Sequence, residues 1–563
     1  MKVVIIGGVA GGATAAARLR RLDERAEIII FERSGYVSYA NCGLPYYIGG
    51  EIKRRSALTL QTPESFKARF NIDVRVNSEV VRIDRANKKV FVRSLRGEYE
   101  ESYDKLIYSP GARPILPNGA HGRRIFTLRT VEDTFAIDDF IREQSPQTAV
   151  VAGGGFIGLE AAENLVSRGI KVTLIQGREQ VLPQTDYEIA CFLHAELRQN
   201  GIKLVLSSRV EGLEGAEGGV KITAGGREYA ADFAIVALGV LPETHLAKEA
   251  GLALGLKGAV VVDEHMRTSD SDIYAVGDAV QIKNSVTGKD ALFALAGPAN
   301  KQGRIAADNI FGRSAVYTGG IGSSVIKVFG LTCAFTGLNS AAAEAAEYDY
   351  DSVVLFSANH ATYYPGARNM TLKVLFVRGS GKILGAQAVG YDGVDKRIDV
   401  LATAIKAGMT AYELEELDLA YAPPYSSAKD PVNMAGYAIE NVLGGVKQFN
   451  WRQLPDVLVN ADNFILDVRT EEEFAGGHFT GAVNIPVDEL RGRLNEVPKD
   501  KKIYVNCHSG LRSYIACRIL MANGYDCYNF SGGYRLYAAV KGEAEAADML
   551  RHSCGVPDRK SVV

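Results

Sequence analysis

The chain has 563 residues, more than one hydrophobic core supports and enough for three or four domains, and 64 Lys+Arg against 66 Asp+Glu leave no basic surplus for nucleic acid. A content of 47% hydrophobic and 23% charged residues is globular rather than disordered, and no apolar run approaches the ~20 residues that cross a bilayer. The apolar start, Met1 to Val9, runs into glycines without a charged region or cleavage site, and seven cysteines are too few and odd for a disulfide scaffold, so a cytoplasmic protein with free thiols and no membrane partner is expected.

In chain order, residues 3–6 form a β-branched apolar run, 7–12 a glycine turn, 13–22 an Ala/Leu/Arg helix and 28–31 a second buried strand closing on Glu32. The same grammar returns over 148–176, with the second strand at 171–175. Two units more than a hundred residues apart are two mononucleotide-binding folds, not a solenoid repeat. Each glycine turn aims backbone N–H groups and the positive end of a helix dipole at a diphosphate. Gly7, Gly8, Gly11 and Gly12 line the first turn, with Val9 at the middle glycine position of the fingerprint. Glu32, twenty residues after Gly12, stands where a carboxylate accepts from ribose hydroxyls. The second loop is complete: Gly153, Gly155 and Gly158, then Glu160. Gln176 occupies the usual acidic position of NAD-selective sites and hydrogen-bonds a ribose without repelling a phosphate, while Arg178 can pair with a 2′-phosphate. NADH and NADPH both stay open, with a lean to NADH because one Arg is not a cluster.

The stretch from Thr268 to Asp278, ending Gly277-Asp278, resembles the second flavin motif of the two-dinucleotide-binding-domain flavoprotein disulfide reductases; Ser109-Pro110-Gly111-Ala112 resembles their linker motif. The resemblance implies FAD at the first site, with Asp278 at the ribityl chain and Arg33, Asn41, Val80 and Gly111 among its contacts. It implies NADH or NADPH at the second, with Glu160 by the nicotinamide. Asn41-Cys42-Gly43-Leu44-Pro45-Tyr46 lies where that superfamily places its redox thiol. Members that cycle through an internal disulfide carry a second cysteine five positions later; here that position is Tyr47, and the next cysteine is Cys191. Cys42 therefore has no local partner and must hold its oxidised state as a mixed disulfide, persulfide or sulfenic acid. Beside a flavin and a helix N-terminus its pKa is expected to be depressed.

The same string resembles coenzyme A-disulfide reductase, a likeness over residues 1–445 that 295–304 and 421–426 support. It implies coenzyme A contacts at Thr14, Arg18, Arg21, Ser38, Asn41 and Asn433. It also implies a homodimer in which Tyr425 and Tyr364 (or its neighbour Tyr363) approach the other subunit's sulfur, where a phenol gives a hydrogen bond or proton to a leaving thiolate. From spacing alone, Arg18, Arg21 and Arg25 make one basic helix stripe, and guanidinium groups suit the phosphates of coenzyme A.

Residues 321–445 carry no dinucleotide fingerprint: strand-like 324–329 and 371–377 precede helical 400–407 and 434–442. After Gly444 a new α/β pattern begins, with strands at 464–468, 503–506 and 527–530. Residues 452–545 resemble a rhodanese domain through Asp467-Val468-Arg469-Thr470, Glu473-Phe474, the run from Gly477 to Pro486, and the loop from Cys507 to Ser513. That loop follows a strand and precedes a helix, so its N–H groups converge on the Cys507 sulfur, lowering its pKa and cradling an anionic persulfide. Cys507 and Arg512 enclose four residues, where Cys-based phosphatases enclose five, which favours sulfur over phosphate. His478 and His508 have no further ligand-spaced partner, so no metal is expected. Cys191, Cys333, Cys517, Cys527 and Cys554 are read as structural or incidental.

The expected architecture is α/β: an FAD domain over 1–115 and 250–320, an NAD(P)H domain over 116–249, an α+β dimerisation domain over 321–445 and a rhodanese-like domain over 452–563. The expected activity is FAD-dependent, NAD(P)H-driven reduction of persulfide or polysulfide sulfur, coenzyme A persulfide included, through Cys42. The alternatives are coenzyme A-disulfide reduction, an NADH oxidase or peroxidase using a Cys-sulfenic acid, and a flavin-bound redox sensor or sulfur carrier without turnover.

Overall fold

The structure, a computed structural model, describes residues 1–551, so Cys554 lies outside the described residues. It falls into two compact units, Met1–Glu179 with Gly201–Gly322, and Gln180–Asn200 with the described residues from Ser323 onward. None of the described helices is long and apolar enough to cross a membrane.

In the first unit, continuous β-branched runs with both faces covered favour parallel pairing. Lys2–Ile6 lies between Glu27–Phe31 and Lys105–Tyr108, with Asp73–Arg75 and Ile273–Ala275 outermost. Thr148–Ala152 repeats this between Lys171–Ile175 and Phe233–Val236. The two strand–helix turns share one backbone solution. Gly7 and Gly153 adopt φ of +92° and +111°, and each N–H bonds across the sheet, to Phe31 and Ile175. A Cβ on Gly12 would sit 2.0 Å from the Gly7 carbonyl oxygen, and one on Gly158 1.8 Å from that of Gly153, so only glycine fits either place. Val9 stands at the middle glycine position with φ of −101°, outside the left-handed region that reserves a position for glycine.

The first helix runs over Ala10–Leu22 and stops at Asp23, whose backbone is extended. Arg25 therefore lies beyond the helix, and the expected three-arginine stripe reduces to Arg18 and Arg21. Arg20, between them in sequence, is buried and donates to the carbonyls of Asp23, Glu24, Ala26, Phe70 and Asn71, closing the loop that leads back to the sheet.

The second unit holds an antiparallel sheet in the order Ser324–Val328, Leu331–Gly337, Ile383–Gly390, Asn369–Val377, Tyr350–Ala358. The helix expected at 400–407 starts earlier, at Val394, and that expected at 434–442 spans Pro431–Leu443, capped by the Asp430 side chain. Both extensions meet at Arg397, a fully buried guanidinium that bonds Asp430 at 2.8 Å, the Asn359 carbonyl at 3.0 Å and the Ser426 hydroxyl at 3.1 Å. It ties the 421–426 loop to the sheet. Arg397→Met leaves the Asp430 carboxylate buried and unpaired, and should cost about 3–5 kcal/mol, read as a lower urea midpoint for this unit.

A second, parallel sheet follows in the order Gln448–Phe449, Cys527–Phe530, Lys502–Asn506, Asn463–Asp467, Val483–Asn484. Gln448–Phe449, ahead of residue 452, joins this sheet because Phe449 stacks on Phe530 with ring centroids 4.8 Å apart. The helix Tyr187–Gln199, inside the stretch 116–249, belongs to this unit: its Arg198 and buried His194 meet Glu543 on the last helix.

Candidate active sites

Among first-unit helices of eight residues or more, two classes of N-terminus occur. Pro63–Phe70 and Val131–Gln144 are closed by capping boxes from Thr62 and Thr130. Ala10–Leu22, Phe156–Ser167 and Ala296–Ile310 have no side-chain cap and no acidic residue in the first turn. Two of the uncapped ends follow the glycine turns, where their donors need an acceptor from outside the chain. Glu32 is buried, and its two oxygens accept from the Gly8 and Ser34 N–H groups at 2.9 and 3.0 Å, which holds the carboxylate at the mouth of the first turn. In the second turn Gln176 Oε1 accepts from Gly154 and Gly177, and a Cβ on Gly155 would meet open space. The residues fit a dinucleotide at each turn.

The structure gathers several other expected flavin residues nearby. Gly277 has φ of +81° and donates to Gln302, which presents Asp278; Asp278 pairs with Arg129 at 2.7 Å. Gly111, at φ +77°, lies against the same Arg129. Val80 is buried in the strand Ser78–Asp84, Asn41 opens the short helix that carries Cys42, and Arg33 is exposed near Glu243.

Cys42 sits in the 3-10 turn Asn41–Gly43, directly before the helix Leu44–Ile48. It keeps an exposed face, and the described cysteines are all free thiols. No other cysteine of the sequence falls in the first unit. The expectation of a depressed pKa is corrected: the thiol is pushed up, first by burial among its walls, then by the Glu160 carboxylate, against Arg129, with Asp278 adding to the rise. A helix of five residues supplies too little dipole to offset two carboxylates. Glu160 is itself pushed up to about 7, chiefly by burial, with the Tyr46 hydrogen bond opposing and Glu163 assisting.

The residues expected to hold coenzyme A are spread more widely. Thr14 donates to Asn300 at 2.7 Å, Arg18 is engaged by Asp308 at 2.6 Å, Arg21 is exposed, and Ser38 adopts a left-handed φ of +48°. Asn433, in the second unit, is buried with its NH2 committed to the carbonyls of Leu414, Glu415 and Leu417, so only its amide oxygen remains to offer a ligand. Tyr364 and Tyr425 are exposed on that unit, and Tyr363 shares a 2.8 Å hydroxyl contact with Tyr421. Tyr421 and Tyr425 border a cleft of about 520 Å³ with His360 and Lys396.

In the C-terminal sheet domain, Cys507 directly follows the central strand Lys502–Asn506 and is buried, and its sulfur accepts from the Gly510 N–H at 3.1 Å and the Ser513 hydroxyl at 3.2 Å. Gly510 turns left-handed, at φ +98°, to start the uncapped helix Leu511–Ala522. Arg512 makes a two-pronged pair with Glu473 at 2.7 and 2.7 Å, which holds the carboxyl down at about 2. Burial lowers the His508 pKa, and among the described residues no cluster of three or more His, Cys, Asp or Glu is placed to hold a metal. Sequence reasoning missed Arg129, Tyr46, Ser513 and the pairing role of Glu473. Ser513 and Glu473 lie inside quoted motifs, but Arg129 carries no local signal.

Residues 1–303 match the pyridine nucleotide-disulphide oxidoreductase model, 323–431 its dimerisation domain, and 453–539 the rhodanese-like domain. Coenzyme A disulfide reductase of Staphylococcus haemolyticus is 39% identical over 441 residues, 77% of this chain and 98% of the relative. The structure of reduced CoADR-RHD from Bacillus anthracis shares 48% identity at a TM-score of 0.94, covering 96% of this chain and 98% of that one. An NAD-dependent persulfide reductase from A. fulgidus shares 41% at 0.90, covering 95% and 100%. The family uses FAD and NAD(P)H, which the two glycine turns suit. The chain belongs to the pyridine nucleotide-disulphide oxidoreductases, as a fusion of the coenzyme A-disulfide reductase type with a rhodanese-like domain.

Proposed function

We propose that this protein is an NAD(P)H-driven reductase of sulfane sulfur, acting on persulfides and polysulfides, coenzyme A persulfide included, through Cys42 alone. The observation that carries this reading is a single thiol in the whole first unit, set beside the Arg129–Asp278 pair and Glu160. An internal dithiol cycle needs two. FAD would be held by the Gly7–Gly12 turn, Glu32 and Asp278 and would supply the electron pair, drawn from a nicotinamide that the Gly153–Gly158 turn would hold. Cys42 attacks the outer sulfur of R–S–SH, which breaks the S–S bond, releases the thiol RSH and leaves Cys42–S–SH. Two electrons then split Cys42–S–SH into the thiolate and HS⁻. Arg129 lies within electrostatic reach of the sulfur and stabilises each thiolate formed there.

Thr14, Arg18, Arg21, Ser38, Asn41 and the amide oxygen of Asn433 are the proposed coenzyme A contacts, with the exposed Arg21 the guanidinium most available to a phosphate. The exposed Tyr364 and Tyr425 are proposed to serve the partner subunit of a homodimer. Gln176, turned onto its own glycine loop, favours NADH. Cys507, cradled by Gly510 and Ser513, is proposed to carry a persulfide that feeds the reductase. Coenzyme A-disulfide reduction is a second reading, favoured by the named relatives. One experiment separates them: steady-state NADH oxidation with coenzyme A disulfide, coenzyme A persulfide, glutathione persulfide and polysulfide in parallel, measuring sulfide. Sulfide release from the persulfides, faster than turnover of the disulfide, is expected. Turnover of the disulfide alone decides for the second reading, and in a further assay with hydrogen peroxide as the oxidant, turnover of the peroxide alone decides against both.

A further inference from the structure

Residues 41–48 form one helical run, 3-10 and then α, so Cys42 and Tyr46, four residues apart, lie on one face. The Tyr46 hydroxyl donates to Glu160 Oε1 at 3.3 Å. Glu160 belongs to the helix Phe156–Ser167, against which the Cys42 helix packs. The titratable groups facing this pair are Glu163 on the same helix, Glu51 toward Tyr46, and Cys42, which in turn faces Arg129 and Asp278. None of the described cations pairs with Glu160: Arg129 is held by Asp278, Arg168 by Asp138 and Arg55 by Asp139. A half-buried carboxylate with an acidic neighbour and no cation takes up a proton readily.

We propose that Glu160, positioned by Tyr46, is the proton reservoir for Cys42; this rests on the reading of Cys42 as the thiol that accepts sulfane sulfur. The Cys42 thiol gives its proton to the Glu160 carboxylate. The freed sulfur lone pair bonds to the outer sulfur of R–S–SH, the S–S bond breaks, and its electron pair leaves on R–S⁻. Glu160 returns the proton to R–S⁻, releasing RSH. Cys42–SH and RSSH thus become Cys42–S–SH and RSH, and Glu160 begins and ends ionised. No electrons enter in this step. Its apparent pKa near 7 suits a group that gives and takes a proton at neutral pH.

The test compares wild type, Glu160→Gln, Glu160→Asp and Tyr46→Phe as holoenzymes. Three quantities are followed: iodoacetamide alkylation of the Cys42 peptide against pH by mass spectrometry, kcat with glutathione persulfide against pH, and anaerobic flavin reduction by NADH. In Glu160→Gln the carboxylate that raises the Cys42 pKa is gone, so its alkylation midpoint falls and alkylation at pH 7 speeds up. In the same variant kcat falls by about 10²-fold and loses its limb near neutral pH. Glu160→Asp recovers part of kcat, and Tyr46→Phe lowers kcat with flavin reduction by NADH unchanged. An alkylation midpoint that does not move in Glu160→Gln, a kcat profile that overlays wild type, or flavin reduction in Tyr46→Phe that falls in step with kcat overturns the proposal. Failure of the underlying reading is distinct: wild type itself then releases no sulfide.

Discussion

Cys42→Ser is expected to abolish sulfide release from every persulfide and polysulfide while leaving flavin reduction by NADH intact. A serine hydroxyl stays protonated where a thiol ionises, and oxygen forms no stable counterpart of Cys42–S–SH, so neither attack nor storage of the foreign sulfur survives. No other thiol stands in, since Cys42 is the sole cysteine of its unit and the buried Cys333 has its pKa pushed up to about 12. A loss of at least about 10³-fold in kcat follows from removing a nucleophile whose supporting groups remain. Hydride delivery needs the Gly153–Gly158 turn rather than Cys42, so anaerobic stopped flow with NADH should still bleach the flavin. Undiminished sulfide release refutes the thiol mechanism.

Cys507→Ser is expected to divide the protein's chemistry rather than stop it. Sulfur transfer from thiosulfate or polysulfide requires the sulfur that Gly510 and Ser513 hold, so it should fall to background in a cyanide-acceptor assay. NADH-dependent turnover of glutathione persulfide, a substrate small enough to reach Cys42 directly, should stay within about twofold of wild type, as expected for independent sites. Equal loss of both activities contradicts two separable sites. The two-pronged Arg512–Glu473 pair keeps the loop's shape in the variant, so a lost activity reports chemistry rather than collapse of the loop.

Much of the site was legible because its motifs are solutions of local backbone geometry. Gly7, Gly12, Gly153 and Gly158 admit no Cβ, and each turn needs only a strand before it and a helix after it. Cys42 and Cys507 were legible for a related reason, since each stands in a short string whose neighbours shape its own loop. The helix starts at Ala10 and Val394 were not, because burial against the sheets extends a helix past the point where composition marks it. The strand Gln448–Phe449, ahead of the expected domain start at 452, was not legible because two residues show no periodicity; only stacking on Phe530 makes it part of a sheet.

Charge was the least legible quantity. Arg18 reads in sequence as a free phosphate ligand, yet Asp308 engages it from 290 residues away. Arg129 reaches Asp278 across 149 residues, and Tyr46 reaches Glu160 across 114. The sequence by itself determined where dinucleotides and sulfur can be held, because a glycine turn or a cysteine loop is built by adjacent residues. Only the tertiary structure decided the protonation of the groups so placed, the raised thiol of Cys42 above all. Desolvation and Coulomb forces depend on which chain segments fold against one another, and that distance is not written in spacing.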